Sequence, residues 1–125
     1  MSEPEAPKDV VINRKAACKV TLQSGENLFT GISTHFSNKG ILVISKNPAP
    51  LHTKGTVSLR FPSLQNPVDL AGEVVWTNVH GAGDSLSPRG MGIRFTGSEK
   101  DVDDLLLDLA EEYETLGSIY ACYYT

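Results

Sequence analysis

The residues of this 125-residue chain that could do chemistry are three histidines, two cysteines and a late run of carboxylates. His35, His52 and His80 fall on different predicted elements, and Cys18 and Cys122 lie far apart. There is no CxxC pair and no HExxH helix, so no tetrahedral metal site and no cofactor is expected. Both cysteines read as reduced thiols. Gly81-Ala82-Gly83 opens like a dinucleotide-binding loop, but Leu86 takes the position of the third glycine. That segment lies between strands instead of starting a helix, so it reads as a hairpin loop. No GxSxG elbow occurs, and the late carboxylates sit on a solvent-facing helix where they line no cleft. The expectation is a protein with no catalytic residues, which is not an enzyme.

Charge points instead to binding. Net charge is −4, yet eight acids against one base, Lys100, follow Ser98, which leaves ten Lys and Arg against seven Asp and Glu before it. The first part can attract a small anion, with Arg14, Lys8, Lys15 and Lys19 in front. It is too weakly basic for DNA or RNA, which demand several phosphate contacts at once. No apolar run reaches the roughly 18 residues of a membrane span. Met1 to Lys8 contains no apolar leader, and a cytoplasmic protein with no membrane insertion is expected.

The elements that position these residues follow from periodicity. Residues 1–8 read as a disordered leader, 9–117 as one domain and 118–125 as an aromatic tail. Alternating runs at 15–23, 28–36, 41–45, 56–62, 68–77 and 92–96 predict six short strands. The 28–36 run places Leu28, Thr30, Ile32, Thr34 and Phe36 together, and Trp76 joins Val68, Leu70 and Val74 facing inward. Six strands at this spacing suggest a closed antiparallel barrel. From Ser98 to Leu116 the period becomes helical, with Val102, Leu105, Leu106, Leu109, Ala110 and Tyr113 as an apolar stripe. Ser98 with Asp101 predicts the N-cap and Gly117 the stop. This helix is expected to lie across the barrel and plug one open side.

Two segments carry a family pattern: His35-Phe36-Ser37-Asn38-Lys39-Gly40-Ile41, then Gly72-Glu73-Val74-Val75-Trp76 followed by Gly90-Met91-Gly92-Ile93-Arg94-Phe95. With Arg14 upstream and the closing helix, they resemble the PilZ domain family of bacteria over about residues 10–116. The second segment looks especially like the single-domain PilZ-like proteins of deltaproteobacteria. The resemblance implies a mainly β fold, a six-stranded antiparallel PilZ-like β-barrel with a C-terminal α-helix, whose ligand is cyclic di-GMP. Family binders use an Arg-x-x-x-Arg pair in the N-terminal segment and an Asp-or-Asn-x-Ser-x-x-Gly motif on the barrel. The chemistry is intelligible, because guanidinium forks pair with guanine O6 and N7 and neutralise phosphate, while the acid or amide and the serine bond the other base edge.

Ser37 and Gly40 match the serine and glycine of that motif, and His35 stands where an acid or amide is usual. Arg14 lacks its companion: read as the first arginine it looks to Cys18, read as the second to Val10, and its distance from Ser37 favours the second. Lys15 and Lys19 are near, but a lysine is a point charge without the fork. The resemblance therefore implies one of two things. Either this is an adaptor that regulates motility, surface behaviour or a similar bacterial process through a protein partner and binds cyclic di-GMP weakly or not at all, or it is a cyclic di-GMP receptor with a variant site of Arg14, Lys15, His35, Ser37 and Gly40. An unrelated small barrel is the third reading. Tyr120, Tyr123 and Tyr124 form an aromatic cluster that either anchors a partner beside the acidic helix face or folds back to finish the core.

Overall fold

Strand alternation closes this chain on itself. The computed structural model describes residues 18–79, 89–113, 115 and 124, and of Thr34 the backbone alone. Its strands are β1 (Cys18–Ser24), β2 (Asn27–Phe36), β3 (Gly40–Ile44), β4 (Lys54–Arg60), β5 (Val68–Asn78) and β6 (Gly90–Gly97), followed by the helix α1 (Lys100–Glu112). The strands form a closed antiparallel barrel in the order β1-β2-β3-β6-β5-β4. Closure leaves no unpaired edge. The β1–β2 hairpin turns at Gly25, whose φ of 61° at the first central position suits a II′ turn.

The barrel interior is filled by Val20, Leu22, Phe36, Ile41, Val43, Val57, Leu59, Val74, Met91 and Ile93, all buried. Among the strands, two irregularities decide which face a side chain takes. On β2 the register with β3 shifts between Ile32 and His35. Before that bulge Phe29, Gly31 and Ser33 pair with the inward Leu22, Val20 and Cys18, so Leu28, Thr30 and Ile32 face outward. The expected single face through Leu28, Thr30, Ile32 and Phe36 is therefore split, and the side chain of Thr34 lies outside the described residues. Ser33, fully buried, seals the bulge: its Oγ accepts the amide of His35 at 3.2 Å and donates to the His35 carbonyl at 3.1 Å.

On β5 the register with β6 shifts between Val74 and Trp76. Val74 pairs with inward Ile93, but Trp76 pairs with Gly92, on the opposite face of β6. Trp76 is thus half-buried on the outer surface, and its expected place in the core is corrected.

α1 buries Leu106, Leu109 and Ala110 against the barrel core, with Val102, Leu105 and Tyr113 packed at its margin. Its N-cap is Glu99 with no side-chain cap bond, whereas Ser98 Oγ donates to Asp103 at 2.5 Å, so the expected Ser98 cap is not formed. The helix ends at Glu112, before the expected Leu116, and Tyr113 and Thr115 make contacts at one mouth of the barrel. There Tyr113 stacks on Phe61 at 6.3 Å and sits 6.5 Å from Phe36. Thr115 Oγ1 donates to the carbonyl of Phe36 at 2.5 Å. The other mouth is closed by buried Ala49, whose amide donates to Met91 Sδ at 3.4 Å. Among the described residues no helix is long and apolar enough to cross a membrane.

Candidate functional site

The site begins with the turn joining β2 to β3. Ser37 N–H donates to the Gly40 carbonyl at 2.9 Å, and Ser37 Oγ accepts the Lys39 amide at 3.1 Å. A serine here closes the turn with its own side chain, as short hydroxyl residues do. The Lys39 carbonyl then accepts the amide of Phe95 at 2.9 Å, tying the turn to β6. Gly40 is buried and has no positive φ; what demands a glycine is close approach. A Cβ there would lie 2.6 Å from the Ile93 carbonyl oxygen and 2.6 Å from Tyr124 Cδ1.

His35 pairs with Leu42 on β3, Leu42 with Gly92 on β6, and Gly92 with Trp76 on β5. These four form one row across the outside of the barrel, since their chain neighbours Phe36, Ile41 and Ile93 all point inward. The row sets an imidazole and an indole at its two ends. Sequence reasoning missed Trp76 for this face; its signal was Val74-Val75-Trp76, three apolar residues in succession, which strict alternation does not allow.

The structure brings His35, Ser37 and Gly40 together at the end of β2 and start of β3. Arg14 and Lys15 lie outside the described residues, as do Tyr120 and Tyr123. Cys18, the companion position if Arg14 were the first arginine, is 4 % exposed and faces the core. An arginine at position 18 would enter the barrel interior, so position 18 is no place for the companion of Arg14, and position 10 holds a valine. Burial pushes the Cys18 thiol up to about 12, which makes it a poor nucleophile. Tyr124, 1 % exposed, lies against Gly40. Buried there, its ring is not presented to a partner, which favours the fold-back reading for this one residue over the surface anchor. Lys19 stands outward on β1 opposite Arg60, away from the turn. Among the described residues no group of His, Cys, Asp and Glu is placed to hold a metal ion.

A closed six-stranded barrel, capped by a C-terminal helix and carrying a Ser-x-x-Gly turn under an outward His–Trp row, defines a small binding domain. The PilZ domain family model matches residues 13–112. The chain belongs to the PilZ domain family, a family of signalling domains of the cyclic di-GMP-binding type. No match is found among curated proteins.

Proposed function

We propose that this PilZ domain is a non-enzymatic signalling adaptor that acts through a protein partner and binds cyclic di-GMP weakly. The observation that supports this reading is the core-facing place of Cys18. It removes position 18 as a companion for Arg14, and the other candidate, position 10, holds a valine, so on this reading the ligand would meet one guanidinium fork where two are needed. Losing one charged bidentate contact costs about 2–5 kcal/mol, a factor of roughly thirty to several thousand in affinity. The turn residues do not argue against it, because Ser37 and Gly40 each have a structural task in closing the turn and admitting Tyr124. No DNA, RNA or metal is assigned to it, and its place of action is the cytoplasm.

A second reading is favoured by one observation: Trp76 is on the outer face, in the same row as His35. An indole on the outer face, in register with a glycine, offers a ring on which a guanine can stack, and a receptor with a variant site would use it. Calorimetric titration of the purified protein with cyclic di-GMP separates the two. The adaptor reading expects no binding tighter than about 10 μM; a submicromolar Kd that is lost in both Arg14→Ala and Trp76→Ala would establish the receptor.

A further inference from the structure

The barrel carries a second feature, on the β4-β1-β2 side, that neither the turn nor the family explains. Lys19 on β1 and Arg60 on β4 are direct cross-strand partners, and Lys19 is also the partner of Ile32 on β2. Both cations are exposed, and among the described residues neither forms an ion pair. The nearest acid in register, Asp69, stands opposite Ser58, one outward row away. Like charges directly opposite in an antiparallel pair destabilise the sheet. This sequence thus keeps a repulsive pair where Thr or Gln would suit the fold better.

The two cations border a groove of about 540 Å³. Its remaining lining is Cys18, Ile32, Phe61, Pro62, Leu64 and Asn66, largely apolar and without a carboxylate among the described residues. Cation pair and apolar wall lie side by side, so the complementary surface is a carboxylate next to an apolar side chain. We propose that this groove docks an acidic segment of a partner protein. A carboxylate would sit between Lys19 and Arg60, and an apolar side chain two residues along an extended strand would lie against Ile32 and Leu64. The carboxylate would offset the like-charge contact between Lys19 and Arg60, and a charge-assisted pair to a guanidinium is among the stronger polar contacts available. The adaptor reading enters only in making the occupant a protein.

The probe is a capped peptide Ser-Glu-Ser-Leu-Ser-Glu-Ser, titrated into the full ¹⁵N-labelled chain while amide resonances are followed. Shifts should concentrate at Lys19, Ile32, Arg60 and Leu64. Lys19→Gln and Arg60→Gln should each weaken binding about tenfold, as should replacing the peptide's leucine by serine. Both variants should melt no lower than the parent, since each removes a like-charge contact. Shifts elsewhere, affinity indifferent to both substitutions, or equal shifts with inorganic phosphate alone would overturn the proposal. So would a lowered melting temperature in both variants, which would make the pair a support of the fold. Cyclic di-GMP is titrated into the same samples: if it displaces the peptide, the groove belongs to a nucleotide site and the docking proposal is wrong. Tight cyclic di-GMP binding with shifts confined to His35, Ser37 and Gly40 would sink the adaptor reading and leave the groove's result to be read on its own.

Discussion

Gly40 and Tyr124 meet with no room for a side chain between them: a Cβ on the glycine would lie 2.7 Å from the tyrosine Cβ and 2.6 Å from its Cδ1. On the other side the Ile93 carbonyl oxygen would be 2.6 Å away, and a backbone atom of a paired strand cannot swing aside. Gly40→Ala should therefore destabilise the barrel by about 1–3 kcal/mol through forced displacement. Urea unfolding followed by fluorescence measures this. An unchanged midpoint would show that the glycine has no packing role, and would return it to ligand recognition alone.

The same contact assigns a task to the tyrosine. A ring that is 1 % exposed contributes as core residues do, and Tyr124→Ala should cost about 3 kcal/mol. For a domain of this size that lowers Tm by roughly 10 °C. Were Tm unmoved, the ring would have to be dispensable to the fold, and the surface anchor would regain its place.

Trp76 makes a contrasting case. Half-buried outside the barrel, it should lose less than about 2 kcal/mol on substitution by Ala, whereas Ile93→Ala, across from the inward Val74, should lose about 2–5 kcal/mol. Paired thermal melts decide it: equal losses would place the indole in the core after all. This residue also shows where sequence stops being legible. The six strands, their order along the chain and the closing helix followed from alternation and period, because each inward side chain is buried by the same pleat that sets the pattern. Ser37 and Gly40 were legible as a turn for the same local reason. A bulge is different, since one inserted residue inverts every face beyond it, and nothing in residue type marks Ser33 as the inward residue that closes the β2 bulge. Leu28 and Ile32 were grouped on one face with Phe36, and Trp76 was placed in the core, for that one cause. Cross-strand neighbours such as Lys19 and Arg60 are far apart in the chain, and only the register of β1 on β4 brings them together.

Cys18 supplies a prediction in pH. Burial pushes its thiol from an ordinary 9.0 up to about 12. The folded state therefore holds this proton after the unfolded chain has released it. The stability linked to the neutral thiol is complete below pH 9 and is lost as pH rises toward about 12. Across that interval the group should contribute a fall approaching about 1.4 kcal/mol per pH unit. Lysines and tyrosines titrate in the same range, so the informative quantity is the difference between the parent and Cys18→Ala. The variant should be less stable at pH 7 by about 1 kcal/mol, for the sulfur atom lost from the core. Its stability should then decline less steeply than the parent's, so that the two curves approach or cross in the alkaline range. Chemical unfolding at pH 7 to 10.5 tests this, with maleimide labelling of the folded protein as a parallel readout: labelling of Cys18 should require unfolding. Parallel stability curves, or fast labelling of Cys18 under native conditions, would mean that the thiol is not held neutral inside the barrel, and would reopen position 18 as an outward companion for Arg14.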